Sequence, residues 1–92
     1  MARPDLGSAL RAQGVAAAAG GQIDQGALAQ AYGSMDKSGR AEVSRAFKTA
    51  RAAGGTKAKS EVGFLAETAG AYGRQIKMRA VEAADSQTPG LA

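Results

Sequence analysis

The sequence predicts an all-α chain of three to four helices. Apolar residues recur at spacings of three and four through several segments, which is the period of a helix with one covered face. β-branched residues are few and nothing alternates with a period of two, so no segment reads as a strand. Two glycine pairs, Gly20-Gly21 and Gly54-Gly55, punctuate the helical pattern as stops or loops. The connections are thus short and Gly-rich.

The first helix is expected to open at Pro4-Asp5, because proline suits a first turn and an acid there complements the helix dipole. Leu6, Leu10, Gly14 and Ala17 give it a thin apolar stripe. The second spans about residues 23–35, with Ile23, Ala27, Leu28, Ala31, Tyr32 and Met35 on one face. Asp36 or Ser38 supplies the cap of a third helix over about residues 39–53, which buries Val43, Ala46, Phe47 and Ala50. Ser60 caps a fourth segment over about residues 61–85, where Val62, Leu65, Ala69, Tyr72, Ile76, Arg79 and Ala83 keep the helical spacing. Residues 86–92 read as an extended tail, so the chain is one small domain or assembly subunit.

The core available to these helices is thin. Hydrophobic residues make up 45% of the chain, but 23 of its 92 residues are alanine and 13 more are glycine. Leu, Ile, Val and Phe together number 13, below the roughly 20% that accompanies an ordinary packed core. A small domain also has an unfavourable ratio of surface to volume. The fold is therefore expected to be completed by oligomer or partner contacts.

Composition also removes whole classes of chemistry. The chain has no cysteine and no histidine, which excludes disulfides, thiolate metal sites and the usual neutral-pH general base. Its carboxylates (Asp5, Asp24, Asp36, Glu42, Glu61, Glu67, Glu82, Asp85) are dispersed where caps and solvated faces explain them. The expectation is a non-enzymatic protein with no cofactor, no metal and no small-molecule substrate. No stretch approaches the ~18 apolar residues of a membrane span. The run Val15–Ala19 makes a poor signal core, with Arg11 and Gln13 just before it and Pro4 and Asp5 in its approach. A cytoplasmic location, or one within an intracellularly assembled particle, is the expectation.

Charge is concentrated. Residues 37–59 hold seven of the twelve basic side chains and one acid, Glu42, a net +6 in a chain whose total is +4. On a helical projection Lys37, Arg40, Arg45, Lys48 and Arg51 share an arc of about 140°. Lys57 and Lys59 follow in a loop just before Ser60, where helix N–H groups and lysines together suit an anion. Arg40, Arg45, Lys48, Arg51, Lys57 and Lys59 are the candidate contacts to a phosphate backbone, DNA or RNA, or to an acidic partner surface. A plain solvated helix face is the simpler alternative.

The remaining signal is a repeat. Residues 26–33 (GALAQAYG) and 63–70 (GFLAETAG) share the pattern G-x-L-A-[Q/E]-x-x-G. Small residues let helix backbones approach closely. Gly26, Gly33, Gly63, Ala66, Gly70 and Gly73 are accordingly the candidate helix-packing positions. Gly63, Gly70 and Gly73 inside one helix would cost about 3 kcal/mol unless close contact offsets them. Residues 61–85 read either as one long helix or as two with a bend at residues 70–73. The second option carries a helix-turn-helix spacing through Leu65, Ala66, Gly70 and Ile76, with Arg74, Gln75, Lys77 and Arg79 as candidate contacts. Arg79 then falls where an apolar residue belongs. The first repeat leads to Val43 with a gap four residues too long for that motif. Both tyrosines, Tyr32 and Tyr72, lie on apolar stripes and read as core aromatics.

Two functions follow from these residues. One is a helical assembly subunit, for example a virion or nucleoprotein component, that binds itself or a larger particle and turns a basic face to phosphate. The other is a helix-turn-helix-like DNA-binding regulator.

Overall fold

Each helix begins at a side chain that accepts the N–H of the third helical residue. In the computed structural model, which describes residues 5–87, Asp5 accepts from Ser8 at 2.8 Å, Asp24 from Ala27 at 3.1 Å, Asp36 from Gly39 at 2.8 Å and Ser60 Oγ from Gly63 at 3.1 Å. These caps start α1 (Leu6–Ala18), α2 (Gln25–Gly33), α3 (Lys37–Ala52) and α4 (Glu61–Gln87). Three of the eight acids are thus spent as caps. The described residues are all-helical, with no strand among them.

The caps also correct the expected boundaries. Asp24 holds α2 back from Ile23, and Asp36 rather than Ser38 starts α3. Both glycine pairs end helices by one device. Gly20 and Gly54 take left-handed φ values of 93° and 74°. The following Gly21 and Gly55 then donate to the Ala16 and Ala50 carbonyls, each at 2.8 Å. This places two otherwise orphaned carbonyls in the Schellman pattern, at a φ that glycine adopts without a Cβ penalty.

The Asp5 carboxyl is held below its ordinary value, first by the Ser8 amide and then by the Ser8 hydroxyl. A depressed folded value means that the cap is complete above the unfolded aspartate range, about 3.9, and fades as pH falls through the lower folded value. An NMR titration is expected to give Asp5 a midpoint below that of unfolded aspartate. A midpoint at or above that value would contradict the cap.

α4, 27 residues and about 40 Å long, is the scaffold. α1 packs most extensively against it, α2 packs on both, and α3 touches α4 alone to any extent. Leu28 and Ala31 of α2, Phe47 of α3, and Leu65 and Ala69 of α4 are the buried hydrophobic residues among those described. Only three of them are large, each contributing about 2 kcal/mol on burial. The radius of gyration is 15.9 Å and the extents are 56 × 38 × 21 Å. A compact chain of this length would have a radius near 12 Å. The excess arises because α3 stands off to one side and α4 runs on past its neighbours.

One open alternative is decided here and three sequence expectations change. α4 passes through Gly70 and Gly73 without a break, so residues 61–87 are one helix and contain no turn. Its stripe is covered only as far as Ile76, and residues 77–83 are exposed, Arg79 included. Ala46, expected in the core, is exposed, because α3 meets α4 along the line of Phe47 and nothing packs on the Ala46 side. Ser86 and Gln87, expected in the tail, belong to α4, and the rest of that stretch lies outside the described residues.

Candidate phosphate-binding face and helix-packing glycines

α3 owes its position to aromatic contact. Phe47 is 5% exposed, and its ring centroid lies 5.6 Å from that of Phe64 on α4, tilted by 41°. Tilted pairs of this kind favour the ring quadrupoles as well as burying area. The Arg51 guanidinium carbon sits 5.6 Å from the Phe47 centroid, within range of a cation–π contact. Arg40 donates to the Met35 carbonyl at 2.6 Å and so fastens the start of α3. Two of the six basic candidates, Arg40 and Arg51, therefore also serve the fold.

All six are exposed: Arg40, Arg45, Lys48 and Arg51 on α3, and Lys57 and Lys59 in the loop that follows. Around the helix Arg45 lies nearly opposite Phe47, Lys37 and Lys48 lie on the flank between, and Arg40 and Arg51 lie nearest to it. The loop is fixed to α4 by Glu67, whose carboxylate accepts the Thr56 hydroxyl on one oxygen and the Lys57 amide, at 3.3 Å, on the other. Thr56 Oγ1 in turn accepts from the Ala58 amide at 3.1 Å. This clasp holds the two loop lysines beside the first turns of α4. Sequence reasoning missed it, since a threonine and a glutamate eleven residues apart carry no recognisable spacing.

The small residues divide by role. Gly73 is buried in the α1–α4 contact: a Cβ there would come 2.8 Å from the Gly14 carbonyl oxygen and 3.2 Å from the Ala17 Cβ. A Cβ on Gly14, also buried, would run into the Tyr72 ring and lie 3.2 Å from the Ala69 carbonyl oxygen. Gly14 stood on the predicted α1 stripe, and only its role as a packing glycine went unread. Gly26 and Gly63 lie in the first turns of their helices, near the capping atoms of Asp24 and Ser60. Gly33 ends α2 with nothing within 4 Å of a Cβ. Gly70 has the Ile23 Cδ1 at 3.5 Å, an ordinary contact.

No family model, curated protein or solved structure matches the chain. The repeat is then explained by its own geometry. In each copy the first glycine sits in an opening turn and the leucine, Leu28 or Leu65, is buried. The second glycine ends α2 in one copy and lies inside α4 in the other.

Ala66 and Gly70 belong to an open groove of about 640 Å³ along α4, walled by Ile23 and Gln25 on one side and reaching Gly55 and Phe64 at one end. Glu67, Ala71 and Arg74 also line it. No helix among the described residues is long and apolar enough to cross a membrane.

Proposed function

We propose that this chain is a non-enzymatic helical assembly protein that docks the basic edge of α3, with the Lys57 and Lys59 loop, on the phosphate backbone of a nucleic acid. A virion or nucleoprotein component fits this description. One observation carries the reading: the six basic candidates are exposed on one protruding helix and its adjoining loop, in a segment of net +6. A backbone so charged attracts polyphosphate, and contacts to phosphate position a protein without reading sequence. The thin core supports the assembly half of the reading, since neighbours would cover what the chain leaves open. The helix-turn-helix alternative loses support from the unbroken α4, and α2 and α3 make at most marginal contact with each other.

Arg45 and Lys48 are the side chains to change, because Arg40 and Arg51 also hold the fold. The variant Arg45→Ala/Lys48→Ala is expected to bind a labelled duplex about tenfold more weakly at low salt, equally on two unrelated sequences, with helicity unchanged. Unaltered affinity, or a loss confined to one sequence, would overturn the reading.

A further inference from the structure

The groove on α4 continues beyond its walls as an uncovered helix face. Gly63, Glu67, Gly70, Arg74, Met78 and Val81 follow one another at steps of three and four, on the side of α4 turned away from Leu65 and Ala69. Met78 is 63% exposed and Val81 60%, two of the largest apolar side chains left in solvent among the described residues. Glu67 and Arg74 stand on this face two helical turns apart, with Gly70 and Ala71 between them.

We infer that this face pairs with the same face of a second copy, antiparallel about a two-fold axis passing between Gly70 and Ala71. In that register Glu67 of each copy lies opposite Arg74 of the other, so the pair forms two ion pairs about the crossing point. Met78 lies opposite Gly63 and the Ala58 methyl beside it, which stands 3.5 Å from where a Cβ on Gly63 would be. A parallel pairing would set Glu67 against Glu67 and Arg74 against Arg74, so the charges select the antiparallel arrangement. Like charges placed opposite each other disfavour a wrong register more strongly than matched ones reward the right one. The small residues at the crossing let the two backbones approach. Glu67 remains available, because a carboxylate offers about four acceptor sites and the Thr56 and Lys57 bonds use two. A surface that matches itself in this way gives a closed pair rather than an open chain.

This inference rests on the assembly half of the proposed function and is independent of the phosphate half. The test is the mass of the full chain by sedimentation equilibrium at micromolar concentration, with no nucleic acid present. Wild type is expected at twice 9.2 kDa. Arg74→Glu is expected to fall to the monomer mass, and Glu67→Arg/Arg74→Glu to regain the dimer. Ala71→Glu changes an exposed residue and is expected to give a monomer with unchanged helicity. A monomeric wild type, or a dimer that survives both Arg74→Glu and Ala71→Glu, overturns the pairing. Failure of the double reversal to restore the dimer overturns the assigned register. Duplex binding by a monomer leaves the phosphate reading standing, and a dimer that binds no duplex removes only that reading.

Discussion

Phe47→Ala is expected to release α3 from the rest of the chain and to lower stability by about 3–5 kcal/mol, the range for truncating a buried phenylalanine. The size follows from how little else holds the helix. Phe47 is 5% exposed, its ring meets Phe64 at 5.6 Å, and Arg51 covers it from outside. α3 makes no comparable contact with α1 or α2. Amide exchange should therefore show α3 losing protection first, with a fall in the urea midpoint. Phe47→Leu keeps most of the buried area but loses the ring pair and the cation–π contact, and should cost about 1–2 kcal/mol. An unchanged midpoint in the alanine variant would mean that α3 is held by something other than this contact. The result bears on function, because the same helix carries the basic edge.

The second large effect runs against helix propensity. Alanine in place of an interior helical glycine ordinarily stabilises by up to about 1 kcal/mol. Gly73→Ala is expected to destabilise by about 1–3 kcal/mol, as overpacking does. The added Cβ would lie 2.8 Å from the Gly14 carbonyl oxygen, and backbone cannot step aside as a flexible side chain does. Gly14→Ala should do the same from the other side of the contact. Gly33→Ala is the control: open space surrounds this last residue of α2, so the smaller propensity gain of a helix end should appear unopposed. Gly70→Ala, with Ile23 at 3.5 Å, should also gain. Urea midpoints of the four variants are expected to split in sign, two lowered and two raised. A rise at Gly73 would show that α1 and α4 are further apart than described.

Much of the helical layout was legible because local chemistry decides it. Asp36 and Ser60 were legible as caps and the Gly20-Gly21 and Gly54-Gly55 pairs as helix stops, wherever the helices then pack, whereas Asp24 was not read as the cap that starts α2. Leu28 and Leu65 declared themselves as core by their place in the stripe. What was not legible depends on tertiary contact. Gly70 and Gly73 carry the same local signal, yet one lines a groove and the other lies against a neighbouring backbone. Ala46 and Ala50 share a helix face in sequence, but α4 reaches only the side nearer Phe47. The continuity of α4 was undecidable from the sequence, since glycine breaks a helix or seats a neighbour according to what lies beside it. The helical spacing put the basic side chains on one flank of α3, but it did not show the second duty of Arg40 and Arg51 within the fold.

Engagement of phosphate by the exposed edge of α3 and its following loop is the proposal on which the function rests. The most direct measurement is duplex affinity as a function of salt for wild type and Arg45→Ala/Lys48→Ala. Log affinity is expected to fall linearly with log salt, and the slope of the variant to be shallower by about 2, one for each phosphate contact removed. A salt-independent affinity, or equal slopes in the two proteins, would contradict it.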